Sequence, residues 1–338
     1  MRVSIIGYGN IGRVIKTLLR LESNLFKQVD AYDIQEIPGS IKLQNLEDAV
    51  KDYEIVVCCT PYNINKKIVD LCVQYNTSYF DLTEDTAFTA YVRDLDTEIF
   101  LMPQCGLAPG AVNIIAADLS KQFDVTRDIQ IRVGALPLYP SNRMGYYLSW
   151  STEGVINEYC NPCDAIVDGE HVKVQPLEGY ETVYIDGKKY EAFNTSGGSG
   201  TMCESFVGKV SSLNYKTLRY PGHWKYMKFL LDDLNLKENK ETMAKIFNKE
   251  VPFTSDDVVV INIKVVGESH NGRYEEKTYN RQIYGTGGHS AIQLTTASGI
   301  CAVIFLYAKG ILRGNGFMKQ EDVGFNDFLY SNYGRVYT

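Results

Sequence analysis

Residues 3–12 read VSIIGYGNIG, an apolar run that leads directly into the three glycines Gly7, Gly9 and Gly12. The first four residues of this stretch are typical of a buried parallel strand. After the glycines, apolar residues recur at helical spacing, and they are Ile11, Val14, Ile15 and Leu18. The stretch therefore predicts a strand, a tight glycine turn and a helix, the order that opens a dinucleotide-binding βα unit.

Each glycine of this turn has a physical task in such a unit. Gly7 permits the turn, Gly9 lets the backbone approach a pyrophosphate, and Gly12 lets the helix and strand pack closely. The N-terminus of the helix, at Asn10 and Ile11, offers N–H groups and a partial positive charge to phosphates. The alternative interpretation is a glycine-rich βα turn that binds no ligand.

An acidic residue decides between the two nicotinamide cofactors. A second apolar strand ends at Asp33, which stands 21 residues after Gly12. A carboxylate at this position accepts hydrogen bonds from both ribose hydroxyls and repels a 2′-phosphate. Residues 34–38 contain no Arg or Lys that would pair with such a phosphate. The sequence therefore predicts NAD rather than NADP.

The composition of the chain limits its possible partners. The chain has 338 residues, of which 45 % are hydrophobic and 22 % charged, and two domains are expected from this length. The formal net charge is −7 and the pI is about 5.3. Because no basic run is present, we expect neither nucleic acid nor a membrane as a partner.

The cysteines and the apolar segments point to the cytoplasm. Met1 and Arg2 are followed at once by a predicted strand, so we expect no signal peptide. Residues 292–312 are too often interrupted by polar residues for a membrane span and predict a buried helix. The eight cysteines follow no disulfide framework. Cys160 and Cys163 form a CxxC pair, but no second pair or His cluster accompanies it, and we predict no metal site.

The pattern of predicted elements changes along the chain. The first third alternates short apolar strands with helices, which predicts an α/β fold with an N-terminal Rossmann domain, a doubly wound parallel sheet. After about residue 125, longer strands and hairpin signals predict an α+β substrate domain with a mixed or antiparallel sheet, including a long strand over 206–220. We place the NAD-binding domain at 1–122 and the substrate and dimerisation domain at 123–288. The helix at 289–313 is expected to pack back onto the first domain.

Several polar residues follow predicted strands of the first domain. In a doubly wound sheet, ligands bind outside the carboxyl ends of the strands, so these residues should face one crevice. The predicted cofactor contacts are Gly7, Gly9, Asn10, Ile11, Gly12, Asp33, Thr60, Pro61, Cys105 and Gly106. Tyr62 and Asp81 also follow strands and are candidates for proton transfer.

Two motifs of the second domain carry further candidate residues. The stretch 149–154 reads SWSTEG, and Trp150 at the start of this predicted helix is a candidate substrate wall. The stretch 217–223 reads TLRYPGH and marks a strand-to-helix junction. Arg219 is suited to hold a carboxylate through two hydrogen bonds, and His223 is suited to transfer a proton near neutral pH. The alternative for His223 is a purely structural residue at the helix start.

These motifs together resemble the saccharopine dehydrogenase-like family, and within it the lysine 6-dehydrogenase branch. The resemblance covers roughly residues 1–315 and rests on GYGNIG, QCGLAPGAVN, SWSTEGVINEYCNP, SGG and YKTLRYPGH. It implies a nicotinamide-binding domain, a substrate domain, a homodimer, and hydride transfer between the cofactor and an amine-bearing carbon. Tyr62 matches a tyrosine that lies near the substrate in saccharopine reductases. Ala108 replaces the aspartate of those enzymes, which favours the lysine 6-dehydrogenase branch.

The resemblance and the residues together predict oxidation of a terminal amine, such as that of L-lysine, by NAD. The amine must be neutral to release hydride, and the candidate bases are His223, Tyr62 and Asp81. Either Arg219 or Arg143 is expected to bind the α-carboxylate of the amino acid substrate. The α-ammonium is assigned to Glu158 or Glu84.

Two other functions remain open at this point. One is reductive condensation of an amine with an aldehyde, as in saccharopine or carboxynorspermidine synthesis, and a preference for NADPH would support it. The other is a regulatory protein that binds NAD without turnover. In that case NAD stabilises the fold, but no amine changes the nicotinamide absorbance.

Overall fold

The chain folds into two units, seen in a computed structural model that describes residues 1–269 and 271–338. The first unit joins Met1–Ile114 to Gln293–Thr338, and the second is Ile115–Ile292. The sequence predicts these boundaries after residues 122 and 288 instead. The residues after 313, for which no domain is predicted, belong to the first unit.

The N-terminal part of the first unit alternates strands and helices. Its elements are β1 (Arg2–Ile6), α1 (Asn10–Leu19), β2 (Gln28–Asp33), β3 (Ile41–Lys42), β4 (Ile55–Cys58), α2 (Tyr62–Gln74), β5 (Ser78–Asp81), α3 (Thr86–Arg93), β6 (Phe100–Met102) and α4 (Ala111–Ser120). Strands β4, β5 and β6 are buried along their whole length, as expected of parallel strands covered on both faces.

The second unit contains longer strands and several short helices. Its elements are β7 (Val125–Pro137), α5 (Thr152–Cys160), β8 (Cys163–Val167), β9 (Glu170–Val174), β10 (Glu181–Ile185), β11 (Lys188–Asn194), α6 (Met202–Phe206), β12 (Ser212–Arg219), α7 (His223–Lys228), α8 (Lys240–Glu250), β13 (Asp257–Glu268) and β14 (Tyr274–Tyr284). The predicted strand over 206–220 is wrong in its first part, because Phe206 ends α6 and the strand begins only at Ser212.

The chain then returns to the first unit through α9 (Ala291–Ala308), β15 (Gly316–Phe317) and α10 (Phe325–Tyr330). Helix α9 is apolar and long enough to span a membrane by length and composition alone, with a mean hydropathy of 1.7. However, 67 % of that window is buried inside the protein, as in the core helix of a soluble protein. In the first unit, the hydroxyl of Tyr337 donates a hydrogen bond to the Thr295 carbonyl of α9.

The sheet of the first unit has the strand order of a dinucleotide-binding fold. Its seven strands run in the order β15-β6-β5-β4-β1-β2-β3, and every pair is parallel. The strand order reverses between β1 and β4, and ligands bind at such a switch point. The predicted Rossmann-type sheet is therefore confirmed.

The sheet of the second unit is mixed, as predicted. Six of its strands run in the order β10-β11-β12-β7-β13-β14, and β8 and β9 join it beside β12. Only β12 and β7 are parallel, while the other pairs are antiparallel. Arg219 ends the central strand β12, opposite Glu191 of β11, so this part of the sheet fixes the position of the guanidinium.

Candidate functional site

The glycine turn after β1 is tightly packed against the backbone. Gly7 has a φ of 99°, and a Cβ there would lie 2.6 Å from the carbonyl oxygen of Cys59. A Cβ at Gly12 would lie 2.1 Å from the carbonyl oxygen of Gly7. Both distances are too short for any side chain, so these positions require glycine. Helix α1 can approach β1 closely only because Gly12 has no side chain.

The N-terminus of α1 is open at the position where a pyrophosphate would bind. Gly9 is the N-cap residue, and no side chain caps the helix there. A Cβ at Gly9 would meet no atom within 4 Å. The first N–H groups of a helix lack intrahelical partners and attract anions. The turn therefore fits a dinucleotide, with the backbone of Asn10, Ile11 and Gly12 suited to hold its phosphates.

Asp33 ends β2 beside this turn and is only partly buried. Its Oδ2 accepts a hydrogen bond from the Tyr8 N–H at 2.8 Å, and its Oδ1 accepts one from the Gln35 N–H at 2.9 Å. Each carboxylate oxygen can accept a further hydrogen bond. The two backbone bonds orient the carboxylate, so it remains suited to accept both ribose hydroxyls.

The strand ends next to the turn hold Thr60 and Pro61. The Thr60 hydroxyl bonds the Asn65 side chain at 3.1 Å and the Cys58 sulfur at 3.1 Å. Pro61 is exposed and is the N-cap of α2. The predicted base Tyr62 begins that helix, but its side chain lies outside the described residues.

Asp81 does not have the position expected of a general base. It is fully buried, and its carboxylate accepts hydrogen bonds from the Tyr79 hydroxyl and from the N–H groups of Thr83 and Gln104. Burial raises the pKa of Asp81 to about 6, although these hydrogen bonds oppose the shift. We therefore correct the predicted role: Asp81 holds the backbone of Gln104, whose φ is 65°, rather than taking a proton from substrate.

The loop after β6 is also more internal than the sequence indicated. Cys105 is 1 % exposed, and its sulfur lies 3.0 Å from the Met102 carbonyl oxygen and 3.3 Å from the Gln320 amide nitrogen. Burial raises the pKa of this thiol well above its usual range. The Gly106 carbonyl accepts the Ala111 N–H at the start of α4. The Cys105 side chain thus lies inside the protein and helps to shape the loop, and the cofactor contact of Cys105 and Gly106 stays a prediction.

The second unit contains a buried charged cluster around Arg219. This guanidinium is 3 % exposed. Its Nε donates a hydrogen bond to the Tyr159 hydroxyl at 2.8 Å, and its Nη1 donates one to the Leu218 carbonyl at 2.9 Å. Its Nη2 faces Glu158 Oε2 at 3.8 Å, beyond hydrogen-bonding distance. Within the described residues, Nη2 has no hydrogen-bond acceptor and is suited to bind an anion.

Glu158 is the anionic partner of Arg219 and lies on α5, with 9 % of its surface exposed. Burial raises the pKa of Glu158 to about 7, although the Arg219 charge opposes the shift. The two residues thus place a cation and a carboxylate side by side in a region of low polarity. This arrangement matches the two charges of an α-amino acid.

His223 lies in the same cluster, and both of its ring nitrogens are hydrogen-bonded to protein groups. It is fully buried; Nδ1 lies 3.1 Å from the Met144 carbonyl, and Nε2 lies 3.0 Å from the Tyr159 hydroxyl. Burial, followed by the nearby Arg219 charge, lowers the pKa of His223 to about 3. Because both nitrogens have partners and the pKa is low, these contacts argue against the predicted role of His223 as general base.

The hydrogen bonds of this cluster have only one consistent direction. Because Arg219 can only donate, the Tyr159 oxygen accepts from Nε and its O–H donates to His223 Nε2. The Met144 carbonyl can only accept, so His223 carries its proton on Nδ1. We call the series Arg219, Tyr159, His223 and Met144 the arginine relay. It fixes the orientation of the guanidinium.

The remaining predicted substrate residues have different environments. Trp150 is partly buried beside α5, and a Cβ at Gly154 would lie 2.2 Å from its ring, so the helix accommodates the indole only because residue 154 is glycine. Arg143 is exposed in the loop after β7. Glu84 lies in the first unit, in the loop after β5, whereas Glu158 adjoins Arg219. Arg219 and Glu158 thus lie together within the second unit, and the roles of Arg143 and Glu84 stay predictions.

Two tyrosines of the cluster were missed by the sequence analysis as functional residues. Tyr146 and Tyr159 are both fully buried, and the Arg219 Cζ lies 5.2 Å and 5.7 Å from their ring centroids. The chain has 24 tyrosines, and nothing in the local sequence distinguishes these two from core residues. In residues 1–269 and 271–338, no group of three or more His, Cys, Asp or Glu side chains is arranged to hold a metal.

The sheet order, the glycine turn and the charged cluster define a two-unit α/β protein of the dinucleotide-binding class. The sequence profile of the saccharopine dehydrogenase C-terminal domain family matches residues 106–333, more than half of the chain. The chain therefore belongs to this family, and the predicted resemblance to saccharopine dehydrogenases is confirmed.

Curated relatives agree with this assignment. The chain is 23 % identical over 221 residues to saccharopine dehydrogenase [NADP(+), L-glutamate-forming] of Saccharomyces cerevisiae, covering 61 % of this chain and 48 % of the yeast protein. It is 23 % identical over 254 residues to the mitochondrial alpha-aminoadipic semialdehyde synthase of Rattus norvegicus, covering 66 % of this chain and 27 % of that protein. The chain thus spans about half or less of the curated relatives it matches.

Solved structures show the same fold over nearly the whole chain. Saccharopine dehydrogenase (L-Glu forming) from Saccharomyces cerevisiae matches with a TM-score of 0.79 at 15 % identity, covering 97 % of this chain and 96 % of the yeast chain. Homospermidine synthase from Legionella pneumophila, solved in complex with NAD, matches with a TM-score of 0.68 at 14 % identity, covering 99 % of this chain and 89 % of the other.

Proposed function

We propose that this protein is an NAD-dependent oxidoreductase that acts on the CH–NH group of an amino acid, with L-lysine as the first substrate to test. Family membership and the dehydrogenase names of the relatives support the enzyme class. The observation that carries the substrate class is the buried Arg219–Glu158 pair, because it complements the carboxylate and ammonium of an α-amino acid.

The proposal divides the chemistry between the two units. The backbone at Gly9–Gly12 and the Asp33 carboxylate of the first unit would hold NAD, and NAD would supply the hydride acceptor for the amine-bearing carbon. Loss of hydride from a neutral primary amine leaves an iminium ion, which is an imine that carries one further proton. Water hydrolyses the iminium ion to an aldehyde and ammonia, and the extra proton passes to the ammonia or to solvent. In the second unit, Arg219 holds the α-carboxylate and Glu158 holds the α-ammonium.

The arginine relay contributes orientation rather than proton transfer. A guanidinium that is fixed before substrate binds loses less conformational freedom on binding. Because His223 and Asp81 are both buried and hydrogen-bonded, Tyr62 remains as a prediction among the three candidate bases. We also propose that the protein forms a homodimer and that it acts in the cytoplasm.

Kinetics with the purified chain test this proposal. We expect NADH formation with L-lysine in the wild type, and a large increase in KM in the Arg219→Ala variant. Arg143→Ala is the matched control, because this exposed arginine also lies in the second unit. If the Arg219→Ala variant keeps both the turnover rate and the KM of the wild type, Arg219 does not bind the substrate carboxylate and its proposed role is refuted.

The second candidate is reductive condensation of an amine with an aldehyde. The names of the yeast relative and of the Legionella neighbour favour it, since saccharopine and homospermidine both contain a secondary amine. It uses the same hydride step in the opposite direction. NADPH oxidation that requires both L-lysine or L-glutamate and an aldehyde would support condensation over simple oxidation.

A further inference from the structure

In and beside the buried cluster of the second unit, several hydroxyl groups have no hydrogen-bond partner among the described residues. Tyr146, Ser149 and Thr195 are each at most 4 % exposed, and their hydroxyl oxygens have no hydrogen-bond partner among the described residues. Buried hydroxyls without a partner are rare in proteins, because desolvation without compensation is unfavourable. Three of them in one region therefore require an explanation.

All three hydroxyls belong to segments that flank the Arg219–Glu158 pair. Ser149 directly precedes Trp150, which packs in the same hydrophobic cluster as Tyr146 and Tyr159. Thr195 directly precedes Ser196, whose N–H donates to the backbone carbonyl of Glu158. The three hydroxyls thus belong to segments that contact the cluster around Arg219 and Glu158.

Tyr146 has the most informative position of the three. The Arg219 Cζ lies 5.2 Å from the centre of its ring, and the His223 ring packs against it at 5.1 Å. Burial raises the pKa of the Tyr146 hydroxyl well above its usual range, and the nearby Trp150 indole opposes this shift without reaching hydrogen-bonding geometry. The Tyr146 hydroxyl is therefore neutral and can donate a hydrogen bond. Its position is fixed because Arg219 and His223 pack against the ring.

We propose that the Tyr146 hydroxyl is a substrate-binding group that donates a hydrogen bond to the carboxylate held by Arg219. This inference rests on the proposed function. The Arg219 Nη2 group and the Tyr146 hydroxyl can each donate a hydrogen bond for which the described residues provide no acceptor. The guanidinium also lies against the tyrosine ring. One carboxylate, with two oxygens, can accept from both groups. Tyr146 then contributes to the selection of amines that carry a carboxylate over simple diamines.

The experiment compares Tyr146→Phe with Tyr220→Phe in the full chain with NADH bound, so that no turnover occurs. Tyr220 is the matched control because its hydroxyl already donates to the Pro137 carbonyl at 3.0 Å. Calorimetric titrations measure the affinity for L-lysine and for 1,5-diaminopentane, which is the same molecule without its carboxylate. Thermal unfolding without amine measures the stability of each variant.

We expect Tyr146→Phe to bind L-lysine about tenfold more weakly or worse, since a hydrogen bond to a charged group has an effect of this size. Binding of 1,5-diaminopentane should not change. The melting temperature of Tyr146→Phe should equal or exceed that of the wild type, because a buried group without a partner is removed. Tyr220→Phe should melt lower and bind L-lysine normally.

Three results would overturn the inference. They are unchanged L-lysine affinity in Tyr146→Phe, an equal loss for both amines, and a melting temperature that falls as in Tyr220→Phe. A wild-type protein that binds no amine with a carboxylate would overturn it as well. If L-lysine binds and Tyr146→Phe weakens it, but NAD is never reduced, the proposed oxidation fails and the role of Tyr146 stands.

Discussion

Replacing Tyr159 with phenylalanine tests the arginine relay directly. The Tyr159 hydroxyl accepts from Arg219 Nε at 2.8 Å and donates to His223 Nε2 at 3.0 Å. Both partners are at most 3 % exposed, so water cannot readily replace the lost hydroxyl. The substitution removes one oxygen atom and leaves two buried polar groups without a partner.

The expected loss of stability follows from these contacts. A buried donor or acceptor that loses its partner costs about 1–3 kcal/mol, and a charged group costs more. For the Arg219 and His223 groups together, we expect the free energy of unfolding to fall by about 2–5 kcal/mol. Because the guanidinium also loses its fixed orientation, KM for an amino acid substrate should rise at least about tenfold, with a smaller change in kcat.

Three tyrosine-to-phenylalanine variants make this a graded experiment. The hydroxyls of Tyr146, Tyr220 and Tyr159 form no, one and two hydrogen bonds with the described residues. Chemical denaturation should therefore show a loss close to zero for Tyr146→Phe, about 1 kcal/mol for Tyr220→Phe, and the largest loss for Tyr159→Phe. If Tyr159→Phe and Tyr220→Phe lose the same stability, the relay does not couple Arg219 to His223 and the reasoning is refuted.

Two further predictions concern the cofactor and the pH dependence. Asp33→Ala should bind NADH about tenfold more weakly and NADPH equally well or better, and fluorescence titration of both cofactors checks this; equal losses would contradict the ribose assignment. Glu158 binds a proton more tightly in the folded state, since burial raises its pKa to about 7 from the ordinary value of 4.5. Its contribution to stability is therefore largest below pH about 4.5 and falls as the pH rises to about 7, by at most about 3 kcal/mol. In denaturation curves measured between these two pH values, the free energy of unfolding of Glu158→Gln should not show this decline. An identical pH dependence in the wild type and the variant would contradict the prediction.

The first unit could be predicted from sequence because its signals are local. The glycine turn, the strand before it and the helix after it lie within the first 19 residues, and Asp33 follows at a characteristic spacing. Steric requirements at Gly7 and Gly12 act between near neighbours in sequence or across one strand pair. The right-handed connections of parallel strands then limit the possible strand orders to a few.

The charged cluster of the second unit could be predicted only in part, because its contacts join distant segments. Arg219 and Tyr159 are 60 positions apart, and His223 and Met144 are 79 apart. The TLRYPGH motif identified Arg219 and His223 as candidates. Residue types alone did not show that both ring nitrogens of His223 are hydrogen-bonded within the protein. Tyr146 and Tyr159 have no local signal at all, since their roles depend on which rings the fold brings around the guanidinium.

His223 shows why residue type alone is an insufficient guide to the base of this reaction. An exposed histidine titrates near neutral pH, which suited the expected proton transfer. Here burial and the Arg219 charge lower the pKa of His223 to about 3, so the ring stays neutral throughout the physiological range. A neutral ring with its proton on Nδ1 is what the relay requires, because Nε2 must accept from Tyr159. The same burial that removes His223 from proton transfer thus makes it a fixed acceptor, and any ionisation near pH 6.5 in kcat/KM must come from another group.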